Sequence, residues 1–177
     1  MKPPALVILG GLPGTGKTAV ARELKDTLAH VRIDSIEQAM RDSGEMGPRG
    51  VEGAGYLVGQ AVARDLLACG IDVVAECVNP FALTRQAWRE AGRSAGAAVL
   101  EVELFCSDED EHRRRVEERS TDIAGLELPD WSAVVEREYE AWPEAALHLD
   151  TAMLTAAEAA DAIRAALGPL RSACLRG

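Results

Sequence analysis

The stretch Ala5-Leu6-Val7-Ile8-Leu9-Gly10-Gly11, running into Leu12-Pro13-Gly14-Thr15-Gly16-Lys17-Thr18, decides the fold class. Its first half is a short, wholly apolar run, the mark of a strand buried on both faces. Residues 11–18 match G-x-x-x-x-G-K-[ST] in full. The glycines let backbone N–H groups turn inward around phosphate oxygens, where a side chain would collide. A helix starting at the loop would aim its unpaired N–H groups and dipole at the anion. Lys17 then offers a mobile positive charge and Thr18 a hydroxyl. The eight-residue pattern arises by chance in roughly one chain of this length in a hundred or more. A strand before it and a helix after it lower that further.

Working outward, apolar runs alternate with amphipathic stretches. The pattern predicts a helix over 16–29, a short strand over 30–34 ending in Asp34, and a short helix over 35–41. A helix over 56–70 follows, with Gly70 as its C-cap, then a strand over 71–78 closed by Asn79-Pro80. Next come a helix over 81–96, a strand over 97–106 and an Arg-rich helix over 108–120. Asp130 caps a helix running to Trp142, and 147–150 is a final strand. Thr155-x-x-Glu158 is a capping box before the last helix. Five strand-like runs separated by helices predict parallel crossovers: an α/β, three-layer α/β/α sandwich with a five-stranded parallel sheet, the P-loop NTPase fold. With 177 residues and no repeat or linker, one domain over 1–177 is expected, with a mobile substrate loop at 44–56 and a lid at about 113–130.

Composition narrows the partners. The formal net charge is −10, which disfavours a nucleic-acid partner, since such binders show a basic face. No apolar run is long enough to cross a bilayer, and the N-terminus lacks the pattern of a signal peptide. Cys69, Cys77, Cys106 and Cys174 form no C-x-x-C pair or metal spacing, so buried free thiols in a reducing cytoplasm are expected. Oligomeric state has no signal.

A rival reading of the loop is the dinucleotide fingerprint, since Gly14 to Ala19 fits G-x-G-x-x-[GA] with Asp34 about twenty residues on. There, however, the first glycine closes the strand, whereas Gly14 trails it and leaves room for the larger loop. A switch GTPase needs N-K-x-D, which is absent; Asp122-Ile123-Ala124-Gly125 fits D-x-x-G but follows a helix, not a strand. There is no ABC-type signature and no room for an AAA+ lid domain.

Three features suit a small-molecule kinase using ATP and Mg²⁺. Asp34, expected at the tip of the second strand, can accept the proton of a substrate hydroxyl or anchor the acceptor; it could also simply cap the next helix. Glu76, at the end of Ile71-Asp72-Val73-Val74-Ala75, can hold Mg²⁺ through water in the manner of a Walker B acid; alternatively it is a frayed strand end. Arg115 and Arg119, four apart, share a helix face and can cover the γ-phosphate, or belong to a solvated charged surface, as Arg113 and Arg114 do. Asn79 is a candidate cleft residue or only a turn. Residues 40–56 hold Gly44, Gly47, Pro48, Gly50, Gly53 and Gly55, suiting a closing loop from which Arg49 and Tyr56 could contact substrate.

On GLPGTGKT, RIDSIEQAM, IDVVAECVNP, the Arg115/Arg119 pair and LHLDT, the chain resembles small P-loop kinases of the shikimate, gluconate and chloramphenicol phosphotransferase type, over nearly its whole length. The resemblance implies Asp34 as base or substrate anchor and the arginine pair at a lid over the phosphates. It implies Asp150 and Thr151 near adenine, and Gly11 through Ala19 as the nucleotide loop. RIDSIEQAM in particular looks like chloramphenicol phosphotransferase. One departure is Glu76-Cys77-Val78-Asn79, where the family has Asp in D-x-x-N. The expected activity is transfer of the γ-phosphate of Mg-ATP to a hydroxyl of a metabolite, nucleoside or antibiotic. The alternatives are a non-catalytic ATP-binding regulatory module and a nucleotide or polynucleotide-end kinase.

Overall fold

The computed structural model describes residues 2–44 and 53–174. Five strands, β1 (Ala5–Gly10), β2 (Ala29–Arg32), β3 (Val73–Glu76), β4 (Ala98–Phe105) and β5 (Leu147–Asp150), form one sheet in the order β2-β3-β1-β4-β5. All four pairings are parallel. β1 is buried along its whole length, as its unbroken apolar run requires at the centre of a parallel sheet.

Because strand side chains alternate between faces, β1 feeds two separate cores. Val7 and Leu9 pack with Val20, Leu24, Ile163 and Leu167 on the side of α1 (Lys17–Glu23) and α7 (Ala156–Cys174). Leu6 and Ile8 pack with Ala63, Leu67, Trp88 and Trp142 on the other side. That layer is built by α2 (Ile33–Asp42), α3 (Ala54–Ala68) and α4 (Ala82–Ser94). The remaining helices are α5 (Glu109–Glu118) and α6 (Trp131–Val135). No helix among the described residues is long and apolar enough to cross a membrane.

Several local expectations hold in detail. Gly70 has φ 79°, its N–H donates to Leu67 O at 2.8 Å, and Ile71 N–H reaches Leu66 O at 3.0 Å, a glycine-closed helix end. Thr155 and Glu158 exchange the two capping-box bonds. Other boundaries move. α1 ends at Glu23 instead of continuing to residue 29, and Thr27 turns its hydroxyl back onto Leu24 O at 3.1 Å, a side-chain bond that competes with helix. β2 stops at Arg32, so Asp34 is not a strand tip; it lies in the first turn of α2, where the helix dipole favours an acid. α6 is far shorter than the expected run to Trp142. Beyond it Arg85, only 1% exposed, donates to the carbonyls of Asn79, Pro80, Glu140 and Ala141 and lies over the rings of Tyr139 and Trp142. With Glu140 N–H bonded to Pro80 O, residues 139–142 are held by this side chain and loop and not by a helical ladder.

The thiol expectation is corrected too. Only Cys77 is buried; Cys69 and Cys174 are exposed and Cys106 is intermediate. Residues 45–52, and with them Arg49 and most of the expected loop, lie outside the described residues.

Candidate active site

A cleft of about 1060 Å³ opens at the carboxyl ends of β1, β2 and β3. This is where parallel α/β sheets gather ligands, and the volume is at the upper end for small-molecule sites. Pro13, Gly14, Gly16, Lys17, Thr18 and Ala19 form one wall; Asp34, Tyr56, Glu76, Arg115 and Arg119 also line it.

The loop is braced from inside and behind. Gly11 has φ 145°, and a Cβ there would lie 2.2 Å from Leu104 O, so only glycine fits. Thr15 is buried and its hydroxyl donates to Leu12 O at 2.8 Å. Lys17 curls over the loop, donating to Gly11 O at 2.7 Å and Leu12 O at 2.8 Å. Burial lowers its pKa from the usual lysine value, against the opposing pull of Glu76 and Asp34. From behind, His112 Nε2 sits 2.8 Å from Pro13 O, and its ring stands edge-on to Trp131 at 5.2 Å. His112 therefore fastens α5 to the phosphate loop.

Glu76 is the acid of this wall. It is 4% exposed, and its two oxygens take the Thr18 hydroxyl and, at 2.7 Å, His30 Nε2. Arg32 Nε lies 3.7 Å away. Burial alone would raise its pKa, but the bonds from His30 and Thr18 and the charge of Lys17 outweigh that and hold it below the ordinary carboxylate value. A hydroxyl and a carboxylate fixed side by side are hard oxygen donors of the kind Mg²⁺ takes alongside phosphate oxygens. Cys77, next along, is pushed up to about 12 by burial, so its thiol stays neutral.

Asp34 stands apart, half-buried in the cleft with no hydrogen bond or ion pair among the described residues. Its field reaches both Lys17 and Arg119. Arg119 caps the end of α5; its Nε is buried without an acceptor, and Nη2 reaches only Pro129 O, at 3.5 Å. Burial lowers its pKa, against the pull of Asp34. Arg115 instead binds Glu111 at 2.7 Å and the hydroxyl and carbonyl of Thr151 at 3.0 and 2.9 Å.

Three expected site residues face elsewhere. Asn79 is fully buried and does not line the cleft. Its N–H donates to the Tyr56 hydroxyl at 3.0 Å, and its carbonyl accepts from Arg85, so it fixes the cleft's floor. Asp150 spends its carboxylate on the N–H groups of Ser107 and Ala152, each at 3.0 Å. Thr151 is buried, held by Arg115 and Phe105 O. Neither Asp150 nor Thr151 lines the cleft; both tie the β5 end to its neighbours. Conversely, His30, Arg32, Glu37, His112 and Arg137 belong to the site or its support without any mark in the sequence. Only the β2–β3 register, which sets Arg32 opposite Glu76, reveals the first two.

The model of the AAA domain family matches residues 6–139; beyond that span the described residues add β5 and α7. No curated protein matches the chain in sequence. Among solved structures, the APS kinase of Mycobacterium tuberculosis in complex with AMPPNP and APS is similar at 22% identity and TM-score 0.67, covering 93% of this chain and 98% of that one. A gluconokinase from Sinorhizobium meliloti 1021 matches at 19% identity and TM-score 0.61, with 99% and 97% covered. Kti12 of Chaetomium thermophilum in complex with ADP-AlF3 matches at 21% and 0.67, with 92% and 99% covered. These likenesses extend along the whole five-stranded core, and with the model match over most of its length the chain belongs to the AAA domain family and shares the fold of small P-loop kinases.

Proposed function

We propose that this chain is a kinase that moves the γ-phosphate of Mg-ATP to a hydroxyl of a small molecule. The observation that carries the reading is Asp34: an unpartnered carboxylate in the cleft, within electrostatic reach of both Lys17 and Arg119. The helix dipole alone accounts for an acid in the first turn of α2, but not for its opening into the cleft that holds Lys17 and Arg119.

The loop amides and Lys17 would hold the β- and γ-phosphates. Thr18 and Glu76 would hold Mg²⁺, Glu76 through water; bound there, the ion neutralises charge on the phosphate oxygens. Asp34 orients the acceptor hydroxyl and takes its proton as the new O–P bond forms and the bond to the β-phosphate oxygen breaks, releasing ADP. Arg119 covers the charge spread over the transferring group, and Arg115 supports that wall. Tyr56 would border the acceptor. Segment 113–130 would act as the lid, and the whole chain as one kinase domain. Free thiols suit a reducing cytoplasm, and the −10 charge suits a compact acceptor more than a polynucleotide end.

The test is a screen of hydroxylated metabolites, nucleosides and antibiotics for Mg-ATP-dependent phosphorylation, repeated with Asp34→Asn. The reading expects product with the native chain, and loss of product with near-normal ATP binding in the variant. ATP binding with no acceptor across the screen, and no effect of Asp34→Asn, would favour a regulatory module instead.

A further inference from the structure

One buried polar side chain beside the phosphate loop has no part in the transfer chemistry. His112 is 8% exposed and does not line the cleft; it stands behind the loop. A buried imidazole needs a bonded partner to offset its desolvation. That partner is the Pro13 carbonyl, 2.8 Å from Nε2. A carbonyl can only accept, so Nε2 carries the proton and donates. Among the described residues this is the one hydrogen bond between α5 and residues 11–18. Trp131, which opens α6, packs edge-on against the ring at 5.2 Å.

What hangs on that bond follows from the helix. Residues 112, 116 and 119 are four and three apart along α5 and its cap and share one face. Val116 sits so close to the loop that a Cβ at Gly14 would lie 2.5 Å from its Cγ2 and 3.2 Å from His112 Cδ2. Arg119, two turns or about 10 Å on from His112, lines the cleft. Its own bonds do not place it: Nε is buried without an acceptor, and Nη2 has only Pro129 O at 3.5 Å. The reach of Arg119 is therefore set by how α5 sits on the loop. Arg115 ties the helix to Thr151, not to the loop. Apolar contact at Val116 has no preferred direction. The His112 bond is directional, and it fixes the register.

We infer that His112 is a positioning residue for phosphoryl transfer: its bond to Pro13 locks α5 to the phosphate loop in the register that carries Arg119 over the transferring group. The inference rests on the kinase reading for the task of Arg119. His112 acts only through Arg119 and takes no proton from the acceptor. An imidazole that merely filled space would serve every ligand state equally. A positioning one serves the state in which the phosphoryl group lies between donor and acceptor.

The experiment is calorimetric titration of Mg·ADP into the full chain, with and without fluoroaluminate, which takes the place of the transferring group. The native chain should bind more tightly with fluoroaluminate. His112→Leu fills similar space without the donor and should cut that gain about tenfold, the scale of one lost hydrogen bond, with Mg·ADP affinity close to native. His112→Gln, whose amide N–H stands near the place of Nε2, should keep most of the gain. His112→Asn, too short for Pro13, should not, and it replaces the leucine variant if that one does not melt cooperatively. In an Arg119→Gln background His112→Leu should cost no more than about twofold, because the group it positions is gone. Equal losses with and without fluoroaluminate, additive losses in the double variant, a native gain in His112→Leu, or no difference between the glutamine and asparagine variants would each overturn the proposal. A native chain that gains nothing from fluoroaluminate would instead overturn the kinase reading.

Discussion

The phosphate loop and the wall formed by α2 and Arg137 face each other across one cleft and are built in opposite ways. In the loop the side chains of Lys17 and Thr15 and the carbonyls of Gly11, Leu12 and Pro13 already have protein partners. Across the cleft, Asp34 and Arg137 carry charge with no bonded partner among the described residues, and Arg119 has one weak contact. A preformed half suits a ligand common to many enzymes. A half with charges waiting suits one that the ligand must complete. Under the proposed kinase reading the donor would fit the first and the acceptor the second.

Lys17→Met attacks the first half and carries the largest expected effect. Phosphotransfer should fall about 10³-fold or more, the scale of removing a preorganised charge donor. The same substitution removes a buried charge whose pKa is lowered on folding but also strips the Gly11 and Leu12 carbonyls of their donor, so the melting temperature should change far less than the activity. A loss of activity that merely tracks unfolding would break the contrast. Asp34→Asn attacks the second half: acceptor turnover should drop roughly 10²- to 10³-fold, with nucleotide affinity, read by titration, left intact.

Arg85→Met tests whether the cleft's floor is structural. Removing four carbonyl partners should cost about 3 kcal/mol, measured by denaturant unfolding. Glu76→Gln is the mildest, about 2 kcal/mol at neutral pH for its charge-assisted bonds. Because the folded pKa of Glu76 lies below the unfolded value of 4.5, the carboxylate stabilises above that value. The gap between native and variant should close as pH falls through the folded pKa; a gap that persists in acid would assign the loss to packing.

The same division explains what the sequence makes legible. Lys17, Thr18 and the loop glycines are contiguous, and their chemistry is local, so eight residues suffice. The sheet follows from the unbroken apolar run of β1 and from the alternation of strand-like runs with helices, the latter bounded by capping signals at Gly70 and Thr155. Arg119 and Asp34 meet in one cleft as the family resemblance implies. Arg137 has no pattern, because it joins the cleft only when the chain returns past α2. Asn79 and Asp150 look like site residues because short polar side chains beside turns serve ligands and backbone equally; Arg85 and Ser107 decide the matter, and both are tertiary facts. Asp34 moves from strand to helix because the last two residues of the expected strand, Ile33 and Asp34, open α2 instead, and local propensity cannot fix such a border.

Asp122 binds Arg22 and Arg32, each at 2.8 Å, and its hydrogen bond from Arg32 holds its carboxyl down at about 2. It thereby buttons the loop after α5 to both the phosphate helix and the strand beside Glu76. The button is on the outside, 56% exposed, but its contacts are far shorter than the roughly 8 Å over which physiological salt screens charge. Salt therefore leaves the fastening in place, whereas acid, by protonating Asp122, would undo it.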